Sequence, residues 1–181
     1  TGVPGATKSP TFTSIESTTN QSLFMASGDL ANAFYTLALP DCMAKLFTLD
    51  SLTAGEAGIA EIDGVAVSPG TQVTPYVSVL AMGFSWALHL CQVVLMNAVH
   101  HAGFREQQII SDKKPPVVLA KASDTAAAGY VDNFCVLGAS VSEVNSKCEA
   151  ISRQLRSMGL TVHEEQTASK QHEFVGLLFD G

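Results

Sequence analysis

Two periods of apolar spacing divide this 181-residue chain into segments of opposite character. Residues 23–30 form an apolar run that holds Gly28 and Asp29 and has the length of a buried strand. The better helix formers of residues 31–39 follow and stop at Pro40. Residues 45–79 have β character. Within them, residues 59–62 and 65–67 flank Asp63-Gly64, a two-residue hairpin signal, and Pro69-Gly70 marks a second turn. Ser85 stands where an N-cap belongs, ahead of a helix over residues 86–102 with Gly103 at its C-terminal end. That helix is apolar nearly all round, which predicts a central position.

Residues 105–116 are polar and turn-rich, and residues 117–120 make a short strand. Residues 126–137 read as two strands meeting at a tight turn near Asp132-Asn133, residue types that tolerate unusual backbone angles. An amphipathic helix comes next. Ser140 and Glu143 have capping-box spacing, and Val144, Cys148, Ile151, Leu155 and Met158 recur at helical steps before Gly159. Residues 160–162, an acidic turn at Glu164-Glu165 and a last strand over residues 173–179 close the chain. Residues 1–22, rich in Thr, Ser, Gly and Pro, read as a loop or the cut edge of a larger unit. Two helices on one side of a mainly antiparallel sheet is the economical sum, an α+β fold of two layers.

Composition narrows the possible functions. With 46% hydrophobic and 15% charged residues the chain is stocked for a core and not for disorder. The longest apolar stretch, residues 86–99, is broken by His89, Gln92 and Asn97 and falls short of the roughly 20 residues a membrane span needs, so no membrane partner is expected. Cys42, Cys91, Cys135 and Cys148 stand far apart with no CxxC, which suits reduced core thiols and an intracellular setting. Ten basic against 17 acidic residues give a net charge of −7, which excludes a self-sufficient nucleic-acid binder.

Two of the acidic residues stand out. Asp29 and Asp132 each lie in an apolar strand-like setting, where a carboxylate is costly unless a cation or hydrogen bonds compensate it. If the two strands are neighbours, the carboxylates converge, and hard oxygen ligands at one spot suit Mg²⁺. On spacing alone, the plainer reading of two carboxylates capping turns is favoured. His100-His101 at a helix end is accounted for by contact with the last carbonyls, Asn20-Gln21-Ser22 is a glycosylation triplet without secretory context, and Lys113-Lys114 reads as a solvated turn.

Four segments in order carry a resemblance. Asp29-Leu-Ala-Asn-Ala-Phe-Tyr35 with Leu37-Ala-Leu-Pro40, Leu80-Ala-Met-Gly-Phe-Ser-Trp-Ala87 with the later Gln92, Tyr130-Val-Asp-Asn133, and Phe174-Val-Gly-Leu177 resemble the successive motifs of a reverse transcriptase palm. The resemblance runs over roughly residues 29–180. It implies a two-layer palm over residues 23–181, with residues 1–22 a loop or remnant of the fingers, and with thumb and ribonuclease H absent. It implies that Asp29 and Asp132, with the backbone carbonyl of Leu30, hold two Mg²⁺ ions, Mn²⁺ being an alternative. Phe34 would stack under the deoxyribose and exclude a 2′-hydroxyl, Met82 and Gly83 would line the nucleotide pocket, and Tyr130 would pack beside primer and template. The implied partners are an RNA or DNA template with its primer, deoxynucleoside triphosphates, and the fingers, thumb and ribonuclease H of a parent polyprotein.

Departures from the family pattern carry information too. Asn133 replaces the second aspartate of the Tyr-x-Asp-Asp turn, keeping an oxygen and losing a charge. Met82 and Ala81 replace a glutamine and a proline familiar from retroviruses, which points toward a retrotransposon. The family's lysine that protonates the leaving pyrophosphate has no clean counterpart. Counting from Gly159 lands on Gln166, and Lys170 is the nearest lysine. Two rival readings share the palm: a decayed or domesticated domain that only binds, and an RNA polymerase, against which Phe34 speaks.

Overall fold

The computed structural model describes residues 15–17, 21–112 and 114–181. Most of the predicted N-terminal loop, Asn20 and Lys113 lie outside the described residues. The chain divides into two compact units, one made of the residues up to Ala33 together with Ser85–Gly181, the other of Phe34–Phe84. Among the described residues no helix is long and apolar enough to cross a membrane.

The first unit begins with β1 (Ile15–Ser17) and β2 (Phe24–Leu30), and α1 (Ala33–Thr36) follows at the boundary between the units. The second unit holds α2 (Asp41–Ala44) and four two-residue strands, β3 (Leu52–Thr53), β4 (Glu61–Ile62), β5 (Val65–Ala66) and β6 (Gln72–Val73). The first then resumes with α3 (Ala87–His101), β7 (Val117–Leu119), β8 (Thr125–Tyr130), β9 (Asn133–Gly138), α4 (Val141–Ser157), β10 (Val162–Ser169), β11 (Gln171–Phe174) and β12 (Leu177–Asp180).

The central sheet is antiparallel with strand order β10-β2-β9-β8, and α4 packs against all four of its strands while α3 packs on α4 and β8. This is an α+β architecture with the two long helices on one face. Side chains alternate across the sheet. Ala26, Gly28, Phe134, Val136 and Ala127 share the helix face, where a Cβ on Gly129 would meet the side chains of Leu95 and Met96. Met25, Cys135, Leu137, Ala126 and Ala128 share the other face and form a second core with Ile110, Val117, Leu119 and Phe174. On the helix face Gly28 leaves room that Phe134 fills; a Cβ there would come within 2.6 Å of the Phe134 ring.

Several expected elements form as the pattern predicts. Val144, Cys148, Ile151 and Leu155 are buried along α4, and Ser140 Oγ accepts from the Glu143 N–H at its start. Met158, the last of the expected stripe, is exposed instead, because the helix ends at Ser157. At the Asp63-Gly64 hairpin both central residues have positive φ, 51° and 78°, as a type I′ turn requires, although its strands are shorter than predicted.

Other expectations are corrected. The helix expected over residues 31–39 is a single turn, because Leu37 and Leu39 bond to Leu80 and Ser78 in a β-bridge centred on Ala38 and Val79. That pairing inside the second unit overrides local propensity. Ser85 is not the cap of α3; Trp86 occupies that position with helical angles and no side-chain bond. Nor is α3 buried all round. Ala87, Cys91, Leu95, Ala98 and Val99 face inward, but Leu88 and Val93 are about half exposed. The turn expected at Glu164-Glu165 is a bulge inside β10, and residues 173–179 belong to a hairpin turning at Val175-Gly176, not to one strand. Cys42 is exposed, so only Cys91, Cys135 and Cys148 are core thiols.

Candidate functional site

Strand pairing brings the two singled-out aspartates together. β2 and β9 are antiparallel neighbours in the register Asp29↔Asn133, Tyr130 pairs with Asn133, and the Leu30 N–H donates to the Asp132 carbonyl at 3.0 Å. Directly opposite residues share a sheet face, so Asp29, Asn133 and Tyr130 all lie on the face away from the helices. Asp132 occupies the adjoining turn, and its charge helps to raise the pKa of Asp29.

The turn is held by a contact that sequence alone did not assign. Gln92, one of the motif residues, reaches from α3 with both ends of its amide: Nε2 donates to the Gly129 carbonyl at 3.1 Å, and Oε1 accepts from the Val131 N–H at 2.6 Å. Val131 needs that support. It is a β-branched residue at φ 59°, in the left-handed region such side chains avoid. The strain therefore falls on Val131, not on Asp132 or Asn133 as their residue types suggested. Asn133 Nδ2 donates to Asp132 Oδ1 at 3.0 Å, so its amide orients the neighbouring carboxylate.

Electrostatics at Asp29 are unbalanced. Its side chain is 24% exposed, and one oxygen, Oδ1, is buried without a hydrogen-bond partner among the described residues. Burial, and next the charge of Asp132, raise its pKa above the ordinary carboxylate value, while His163 and the Leu30 backbone act in the opposite sense. Cys91, buried on α3, is pushed up to about 12 by its own burial, with Asp132 and Asp29 adding to the effect. A desolvated carboxylate with an orphan oxygen and a second carboxylate beside it suit a divalent cation. Asp29 and Asp132 would hold it.

A third group lies beside Asp29. β10 pairs with β2 in the register His163↔Asp29, and His163 Nε2 stands 3.2 Å from Asp29 Oδ2. An extra residue then bulges β10 between His163 and Gln166, with Glu164 at φ 50°. One ligating atom each from Asp29, His163 and Glu164 lies within 4.8 Å of the others. Neither His163 nor Glu164 carried a sequence signal, since their role depends on the register of strands far apart in the chain.

On the same sheet face, the turn between β11 and β12 closes a cavity of about 280 Å³ against the aspartate. Ser27, Asp29, Asn133, Gln166, Phe174 and Gly176 are among its lining residues. Its floor is fixed by a buried bond, Ser27 Oγ to His172 Nε2 at 2.8 Å.

The remaining expected residues are distributed as follows. Phe34, Met82 and Gly83 belong to the second unit, where Met82 is exposed and its sulfur accepts from the Tyr35 hydroxyl at 3.2 Å. Lys170 is at the far end of the sheet from Asp29. Its ammonium lies over the Phe24 ring, 5.8 Å from the centroid, and Phe24 is five residues or about 16 Å along β2 from the aspartate. His100 bonds to the Phe104 carbonyl and the Glu106 carboxylate, both beyond the end of α3 and not among the last helical carbonyls expected. No family model matches this chain, and no curated protein is recognisably similar to it.

Proposed function

We propose that this chain is the palm of a reverse transcriptase, which adds deoxynucleotides to a primer 3′-hydroxyl under the direction of an RNA or DNA template. The observation that carries the reading is the Asp29↔Asn133 register. It sets the Asp-Leu-Ala-Asn-Ala-Phe motif beside the Tyr-Val-Asp-Asn turn, on the sheet face where the Phe174-Val-Gly turn closes a cavity. Those three motifs lie far apart in sequence, and the chemistry requires them to meet.

In this reading, bound Mg²⁺ ions supply charge neutralisation at the reacting phosphate. The protein's own part is positioning. Gln92 fixes the turn that carries Asp132, Asn133 orients the Asp132 carboxylate, and the partial burial of Asp29 beside Asp132 favours a positive charge next to it. The cavity beside the β11–β12 turn would receive the primer end. Tyr130, on the same sheet face as Asp29, would contact the primer. The net charge of −7 leaves most phosphate contact to the fingers and thumb of a parent protein, so binding by this chain should be weak and salt-sensitive.

Primer extension on an RNA template at low ionic strength, with Mg²⁺ and then Mn²⁺, tests the proposal. Extension with deoxynucleotides supports it. A chain that binds primer and template but extends with neither ion belongs to the second reading, a non-catalytic palm, for which the loss of a charge at Asn133 is the supporting observation.

A further inference from the structure

We propose that His163 and Glu164 complete the cation site at Asp29, and that this site takes a first-row transition ion in preference to Mg²⁺. The reverse transcriptase pattern places a third carboxylate in the turn, and here that position is Asn133, whose amide nitrogen is engaged with Asp132. The neighbouring strand supplies other donors. His163 is the direct cross-strand partner of Asp29, and the bulge that follows it places Glu164 in the same cluster. Two adjacent ligands of an octahedral ion at about 2.1 Å stand roughly 3.0 Å apart. His163 Nε2 and Asp29 Oδ2 are 3.2 Å apart, so little movement is needed for both to bind one ion.

The site has reason to want a cation. The charges of Asp132 and Glu164 both act on Asp29, whose Oδ1 is buried without a hydrogen-bond partner among the described residues. An imidazole donor changes which cation is preferred. Mg²⁺ favours oxygen ligands, whereas affinity for nitrogen donors rises along the first-row divalent series. The polymerase reading is needed only for what the ion does in transfer; the binding can be tested without it.

The probe is Mn²⁺ added to the metal-free chain, read by pulsed electron paramagnetic resonance for coupling to ¹⁴N. The expected spectrum shows nitrogen coupling that disappears in His163→Gln and persists in His100→Gln. His163→Gln should also lower Mn²⁺ affinity at least about 10-fold while lowering Mg²⁺ affinity less, and Glu164→Gln should weaken both ions. The His163 side chain is 42% exposed on an edge strand, so an unchanged melting temperature is expected and verifies folding. No nitrogen coupling in the wild type, coupling that survives His163→Gln, or no Mn²⁺ binding overturns the proposal. Mn²⁺ held without nitrogen leaves the polymerase reading standing. Nitrogen coupling in a chain that never extends a primer removes that reading instead.

Discussion

Replacing Gln92 by Leu should loosen the turn that carries Asp132. The substitution keeps most of the side-chain volume and removes both hydrogen bonds, leaving the Val131 N–H and the Gly129 carbonyl without their partner. At roughly 1–1.5 kcal/mol per bond, the loss is about 2–3 kcal/mol. The Val131 amide should then exchange with solvent roughly 30- to 150-fold faster, since each 1.4 kcal/mol is tenfold. Melting should fall by about 4–12 °C, at ~2–4 °C per kcal/mol for a chain of this size. Gln92→Glu keeps an acceptor for Val131 and loses the donor to Gly129, so it should protect the amide better than Leu does. Amide exchange resolved at Val131, measured beside the melting curve, separates a local effect from a global one. If Val131 protection in Gln92→Leu equals that of the wild type, the turn is held by something else and the positioning role of Gln92 is wrong.

Three further outcomes follow from the same geometry. Gly28→Ala should destabilise by about 1–3 kcal/mol in a chemical denaturation series, because the new methyl meets a fully buried Phe134 ring at 2.6 Å; an unchanged midpoint would mean the ring moves freely. Asp29→Asn should raise the melting temperature of the metal-free protein at neutral pH while abolishing stabilisation by divalent ions, since it removes a desolvated charge that His163 and the Leu30 backbone offset only in part. His172 is buried and its pKa is lowered by that burial. The unfolded chain therefore binds a proton more readily than the folded one. The resulting stability is present above the unfolded value near 6.5 and is lost as pH falls through the folded value, so His172→Gln should flatten the decline in melting temperature between about pH 7 and 5.

What was legible in the sequence was whatever depends on local periodicity. The stripe Val144, Cys148, Ile151 and Leu155 specifies one buried face of α4, and Asp63-Gly64 specifies its own turn. The convergence of Asp29 on the turn carrying Asp132 was legible only as a condition: two apolar runs each hold a carboxylate, and the pairing of β2 with β9 brings them together. What was not legible depends on pairing over long separations. The short α1 results from a bridge between Ala38 and Val79, which no property of residues 31–39 announces. His163 meets Asp29 only because β10 adopts one register and then bulges at Glu164. The backbone strain at Val131 is tolerated because Gln92, nearly forty residues earlier, accepts its N–H. The polar position of Gln92 in α3 is shared with His89 and Asn97, so nothing local marks it for that role.

Single-nucleotide addition to a primer annealed to RNA, followed by rapid quench, tests the central claim most directly. At low ionic strength and saturating primer and template, which offset the weak binding expected from a net charge of −7, the wild-type chain should add one complementary deoxynucleotide slowly in the presence of a divalent ion. Asp29→Asn and Asp132→Asn, each verified as folded, should slow that addition at least about 100-fold. Addition at the wild-type rate by either variant would contradict the account, because it would place the chemistry somewhere other than the face shared by Asp29 and the Tyr130-Val-Asp-Asn133 turn.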